Sequence, residues 1–198
     1  LQLGAKVVTM SDSGGVIYDP DGITREKLDY IFQLKQVKRG RIKEYAEKYN
    51  VEYVEKGRPW GYDVDIALPC ATQNELDGKD AQKLVDNDVI AVGEGANMPC
   101  TPEAVSIIQE AGVLFSPGKA SNAGGVSTSG LEMAQNSQRY FWSAEEVDEK
   151  LHSIMVGIHR TAYDTAKLFD EPGNYVLGAN IAGFLKVANA MVDMGYMA

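Results

Sequence analysis

Residues 116–136 read SPGKASNAGGVSTSGLEMAQN, and apolar Val113-Leu114-Phe115 stands directly before them. The apolar triplet predicts a buried strand, and Pro117-Gly118 predicts the turn that ends it. Asn122-Ala123-Gly124-Gly125 then leads into Ser127-Thr128-Ser129-Gly130, a run of small residues suited to a helix start. A strand that empties through a Gly-rich turn into a helix N-terminus brings free N–H groups and the positive end of the helix dipole to one place. Glycine lets a ligand approach the main chain there. An ordinary strand-to-helix loop has the same local grammar, so the stretch must be weighed with its neighbours.

Upstream of it, Ala5–Met10 is β-rich and ends in Ser11-Asp12-Ser13-Gly14-Gly15, with a second short β-like piece at Val16-Ile17-Tyr18. Asp19-Pro20-Asp21-Gly22 predicts a turn and Thr24 a helix N-cap. Leu28, Ile31 and Phe32 share one helical face; after Gly40 the pattern restarts at Ile42, Tyr45, Ala46 and Tyr49. Val51–Val54 and Asp65–Pro69 read as strands, Leu76–Val85 as a helix, and Val89–Val92 as a short strand. Pro102 opens a helix that Gly112 closes. Downstream the chain is helical: Val147, Leu151, Ile154, Met155, Ile158 and Ala162 lie on one stripe. A loop at Pro172-Gly173-Asn174 then leads to a helix carrying Ile181, Phe184, Leu185, Ala188 and Met191.

Strands alternating with helices predict an α/β fold: an incomplete Rossmann-like, mainly parallel sheet with helices on both faces, followed by C-terminal helices. The expected division is a nucleotide-binding domain over residues 1–142 and completing helices over 143–198. Ligands in such folds bind beyond the carboxyl ends of the strands. Four polar or Gly-rich loops follow strands in this way: Ser11–Gly14, Cys70–Asn74, Gly95–Asn97 and Lys119–Gly125. Their convergence points to a functional site more firmly than any one of them.

Bulk properties narrow the class. A hydrophobic share of 44% and a charged share of 24% suit a globular protein with one good core, and the net charge of −9 argues against a nucleic-acid or anionic-membrane partner. No apolar run reaches the roughly 20 residues of a membrane span, and Leu1-Gln2-Leu3-Gly4 has no signal-peptide character. Cys70 and Cys100, with only His152 and His159 elsewhere, form neither a disulfide framework nor a zinc pattern. Both are expected as buried free thiols in a reducing, cytoplasmic setting, and no metal is expected.

Several of these segments carry a resemblance. Ala67–Glu75 (ALPCATQNE), Gly93–Pro99 (GEGANMP), Asn122–Gln135 (NAGGVSTSGLEMAQ) and Gly178–Phe184 (GANIAGF) strongly resemble the hexameric bacterial-type glutamate dehydrogenases of the Glu/Leu/Phe/Val dehydrogenase family. The matches run in order along essentially the whole chain. The resemblance implies the coenzyme-binding half of a larger enzyme, lacking both the N-terminal substrate domain and the Gly-rich fingerprint strand. The family's catalytic lysine and acid-base aspartate would lie in that absent domain, so no catalytic residue is expected here and the piece alone is expected to be inactive.

Roles follow by position, as the resemblance implies them. Asp12 would stand at the adenosine ribose, accepting from the hydroxyls of NAD and repelling the extra phosphate of NADP. Ser11 and Ser13, with Lys35, Lys38 and Arg41 from the following helix, could instead hold that phosphate, so the choice between NAD and NADP stays open. A solvated helix face is the plainer reading of the three cations. Ala71, Thr72 and Gln73 would pass beneath the pyrophosphate and nicotinamide ribose. Asn97 and Asn122 would orient the nicotinamide, its ribose and the substrate α-carboxylate, unless they only cap loops.

Val126 and Ser129 would shape the substrate pocket, the Ser129 hydroxyl meeting the side-chain carboxylate of glutamate; a helix-capping Ser129 is the alternative. Lys119 reads as solitary, structural or solvent-facing, and neither cysteine has a histidine to activate it. The implied reaction is reversible oxidative deamination of L-glutamate to 2-oxoglutarate and ammonia, with hydride transfer to NAD or NADP, in a homo-hexamer. Dehydrogenation of leucine, phenylalanine or valine, and a non-catalytic ligand-binding module, are the competing readings.

Overall fold

The computed structural model describes residues 1–195, so the last three residues of the stretch expected as completing helices, 196–198, lie outside the described residues. The chain forms two compact units, the first Leu1–Tyr62 and the second beginning at Asp63. The expected boundary after residue 142 falls instead within the second unit, between two of its helices.

In the first unit, β1 (Thr9–Asp12), β2 (Gly15–Tyr18) and β3 (Glu52–Glu55) form an antiparallel sheet in that order. Asp12 faces Gly15 and Thr9 faces Tyr18 across the hairpin, and Ile17 faces Tyr53 on the other side. The sheet supports α1 (Arg25–Phe32), which runs on as a π-helical segment, Gln33–Val37, and α2 (Lys43–Tyr49). Thr24 caps α1 as expected, its Oγ1 accepting from the Lys27 amide at 3.3 Å. The core is Ile17, Ile23, Ile31, Leu34, Ile42, Tyr45 and Ala46. Within it the Asp19 carboxylate, 1% exposed, accepts from Lys27 Nζ and Tyr45 Oη, each at 2.6 Å.

The second unit holds a parallel sheet in the order β4 (Ile66–Ala67), β5 (Ala91–Gly93), β6 (Leu114–Ser116). The crossovers are α3 (Gly78–Asp86), capped by Asp77, and α4 (Pro102–Glu110), with Thr101 at the N-cap and Pro102 in its first turn. Alternation puts Ala67, Val92 and Phe115 in the core with Leu84, Ala104 and Ile108. Ile66, Leu68 and Leu114 occupy the opposite face and remain 51–62% exposed. A short helix α5 (Gly118–Ser121) and a longer α6 (Gly124–Gln138) follow β6, and then α7 (Ala144–Leu168) and α8 (Tyr175–Met194).

Gly178 decides how α8 packs: a Cβ there would lie 1.9 Å from the Ala162 carbonyl oxygen, so the helices meet backbone to backbone. Met155, Ile158 and Ala162 of α7 and Tyr175 of α8 line, with Ile66, Leu68 and Leu114, an apolar hollow of about 500 Å³. α8 corrects one expectation: by length and composition alone it could cross a membrane. Gly178, Asn180, Gly183 and Lys186 conceal that in a scan for unbroken apolar runs.

Candidate functional site

Each unit carries its own set of the predicted residues. In the first, the end of β1 presents Ser11 and Asp12 and the turn to β2 presents Ser13. The Asp12 carboxylate is already engaged on both oxygens. Oδ1 accepts from the Gly14 amide at 2.8 Å; Oδ2 accepts from Lys35 Nζ at 2.7 Å and from the Ile42 amide at 2.9 Å. Partial burial by itself would raise the Asp12 carboxyl. Hydrogen bonds from Lys35 and from the two amides, with the Lys35 charge, outweigh it and hold the group below the ordinary carboxylate value.

Ser11 and Ser13 are exposed, and Arg41 Nη1 donates to Ser13 Oγ at 2.6 Å. Lys38 turns elsewhere, its ammonium 5.9 Å from the centre of the Tyr30 ring. Of the three cations, Arg41 therefore meets Ser13, Lys35 meets Asp12, and Lys38 meets neither.

In the second unit the carboxyl ends of β4, β5 and β6 bring together the three remaining loops. Ala71, Thr72 and Gln73 are exposed after β4, and the Ala71 amide is held by Glu75 Oε1 at 2.7 Å. After β5, Asn97 is exposed; after β6 and α5, Asn122 is half-buried. Asn122 Nδ2 donates to Asn97 Oδ1 at 2.5 Å and to the Ala96 carbonyl at 3.2 Å, tying the two loops together. The expected loop after β6 is itself helical: α5, Asn122-Ala123, then α6.

Val126 and Ser129, three residues apart, share one face of α6, and both are exposed, Val126 by 73%. Ser129 does not cap the helix. Its hydroxyl donates back to the Gly125 carbonyl at 3.3 Å, long for such a bond and so easily exchanged.

Two features escaped the sequence reading. Lys119 is not solitary: its ammonium donates to Asn180 Oδ1 on α8. Glu94, immediately after β5, is a buried carboxylate, 6% exposed, accepting from the Gly118 amide at 2.6 Å and the Cys100 amide at 3.2 Å. A GEGANMP run marks the loop without marking this role, because the partners lie 24 and 6 residues away. Burial first, and the neighbouring Glu94 carboxylate second, push the Cys100 thiol well above its usual range. Cys70, expected to be buried, is exposed because its loop lies beyond the end of β4, and partial desolvation still raises its thiol. Neither is a thiolate nucleophile. Among the described residues no group of three or more His, Cys, Asp or Glu is placed to hold a metal ion.

The family model for glutamate/leucine/phenylalanine/valine dehydrogenase matches residues 1–195. The chain belongs to the Glu/Leu/Phe/Val dehydrogenase family. Within that family it is 64% identical over 195 residues to a glutamate dehydrogenase of Bacteroides thetaiotaomicron, covering 98% of this chain and 44% of the relative. It is 62% identical to an NAD(P)-specific glutamate dehydrogenase of Xylanibacter ruminicola, with the same coverage. The chain thus spans 44% of the length of these curated relatives. The solved structure of Plasmodium falciparum glutamate dehydrogenase superposes with a TM-score of 0.94 at 45% identity, over 99% of this chain and 42% of that one. The α/β fold with a helical C-terminus is the fold of this dehydrogenase family.

Proposed function

We propose that this chain is the coenzyme-binding part of an NAD(P)-dependent glutamate dehydrogenase, which reversibly deaminates L-glutamate to 2-oxoglutarate and ammonia. The full-length enzyme of this reading is a cytoplasmic homo-hexamer, with its catalytic lysine and aspartate outside this chain. The observation that carries the reading is the Asn97–Asn122 pair, fastened across two loops beyond the strand ends. Two amide side chains held in register there offer donors and acceptors to a nicotinamide, its ribose and an α-carboxylate.

When bound, the coenzyme supplies the hydride acceptor. The residues of this chain bind and orient. Ala71, Thr72 and Gln73 pass beneath the pyrophosphate and nicotinamide ribose, and their exposure leaves room for it. On α6, Ser129 exchanges its long bond to Gly125 for the glutamate side-chain carboxylate while Val126 walls the pocket. A hydroxyl offered to a carboxylate separates this reading from leucine, phenylalanine or valine as substrate, since those side chains offer it no acceptor.

The donor chemistry of the first unit favours NADP over NAD. Asp12 is already neutralised by Lys35 and two amides, so it neither repels a phosphate strongly nor stands free for a ribose diol. Exposed Arg41 and Ser13, already in contact, are donors suited to a phosphate. Initial rates of the full-length protein with glutamate, leucine, phenylalanine and valine test the reading. Turnover confined to glutamate supports it, and preference for an apolar amino acid refutes it.

A further inference from the structure

Glu94 is the least expected group in the second unit. Burying a carboxylate costs several kcal/mol unless hydrogen bonds replace its water. Its partners here are main-chain amides and a thiol rather than a cation: Gly118 N on Oε2, Cys100 N on Oε1, and the Cys100 side chain beside them. The main chain of the same residue extends the lattice. Its amide donates to the Ser116 carbonyl at 3.0 Å, and its carbonyl accepts from Ser121 Oγ at 2.6 Å. One residue thereby fixes both ends of its own loop, 94–100, and the start of the loop after β6, 116–122. The fit is close: a Cβ on Gly118 would fall 2.8 Å from the Ala96 carbonyl oxygen and 3.3 Å from Glu94 Oε2.

Asn97 lies within the first of these loops and Asn122 at the end of the second. Their mutual hydrogen bond depends on the two loops keeping one separation. We infer that Glu94 is a positioning residue that sets the spacing of Asn97 and Asn122 for coenzyme and substrate, through its two main-chain bonds and without touching either ligand. This rests on the binding roles given to the two asparagines above. A carboxylate suits the task because both of its oxygens accept, so it can hold two N–H groups on different loops at once. Glutamine offers one acceptor oxygen and must release one loop.

The test uses the full-length protein and four variants. Glu94→Gln removes one acceptor; Gly118→Ala wedges the same junction open without touching the charge. Val92→Ala weakens β5 from its buried face, where Val92 is 1% exposed, and leaves the junction alone. Asn122→Ala removes a proposed binding group outright. Melting temperature, kcat, KM for glutamate and coenzyme Kd are measured for each.

Glu94→Gln and Gly118→Ala should each lower kcat/KM for glutamate by about tenfold or more and weaken coenzyme binding, as displacements of an ångström or less commonly do. Val92→Ala, at comparable loss of melting temperature, should stay within about twofold in both constants, because a stability loss alone does not reshape a folded site. If Glu94→Gln and Gly118→Ala leave the constants within twofold, or Val92→Ala loses as much as they do, the positioning role is wrong. If Asn122→Ala also changes nothing, the failure belongs to the underlying binding assignment. An effect in Asn122→Ala without one in Glu94→Gln sinks the positioning inference alone.

Discussion

Lys35 Nζ lies 2.7 Å from Asp12 Oδ2, and this ion pair removes from the β1–β2 turn the negative charge that would reject a phosphate. Replacing Lys35 by Met returns that charge to a site beside Ser13 and Arg41. The expected outcome in the full-length protein is a loss of NADP affinity of about tenfold or more, with NAD affinity unchanged or improved. Parallel calorimetric titrations check it; equal losses for both coenzymes would show that Lys35 acts only on folding.

Ser129→Ala should raise KM for glutamate by about tenfold or more, the scale of one hydrogen bond to a charged group. Stability should barely move, because the present bond to Gly125 is long and exposed. Steady-state kinetics decide the matter, and an unchanged KM would remove Ser129 from the pocket.

Asp19 makes the first unit sensitive to acid. Burial alone would raise its carboxyl, but hydrogen bonds from Lys27 and Tyr45 and the Lys27 charge hold it below the ordinary value of 3.8. A carboxyl whose folded pKa lies below its unfolded one adds stability that is fully present above the unfolded value. That stability is lost as pH falls from 3.8 through the lower folded pKa. Asp12 acts in the same direction. Asp19→Asn should therefore destabilise the protein by about 1–3 kcal/mol near neutrality by removing the charge that Lys27 pairs with, leaving its ammonium the Gly22 carbonyl, and flatten the loss of stability below about pH 4. Denaturant unfolding across that range, compared between the two proteins, gives the answer.

At the other end of the chain, Gly178→Ala would place a methyl group 1.9 Å from the Ala162 carbonyl oxygen. Main chain cannot yield as a side chain does, so α7 and α8 must move apart at a cost of about 1–3 kcal/mol or more. A drop of several degrees in Tm is expected for this substitution. Gly183→Ala, which meets nothing within 4 Å, should have little effect.

What could be read from the chain before folding was what local chemistry controls. Thr24 and Pro102 mark helix starts because each acts within a few residues of itself. The loops after β4 and β5 were legible because an apolar strand followed by Gly, Asn and Pro has few other uses, whereas the stretch after β6, expected as a loop, folds as α5 and the start of α6. Pairing direction was not. Val16–Tyr18 and Val51–Val54 read as strands, but the antiparallel register of β3 against β2 sets Gly15 opposite Glu55 and Ile17 opposite Tyr53, contacts far apart in the chain that no local pattern encodes.

Alternation also misled at Ile66, Leu68 and Leu114, apolar positions that suggested burial on both faces and stay largely open on one. Glu94 and the Lys119–Asn180 bond were invisible for a related reason. Their partners lie 24 and 61 residues away, and no periodicity encodes a hydrogen bond of that span. Lys38 ends the π-helical segment whereas Arg41 lies in the non-helical stretch before α2, so a single helix face predicted for both could not hold.

Coenzyme titration most directly tests whether this chain forms the NADP-binding half of a glutamate dehydrogenase. NADP and NAD are titrated calorimetrically into the full-length protein and its Arg41→Ala variant. Tighter binding of NADP than NAD, with that advantage reduced about tenfold or more in the variant while NAD is unaffected, is the expected result. Absence of binding by either coenzyme, or an NADP advantage untouched by loss of Arg41, would contradict the account.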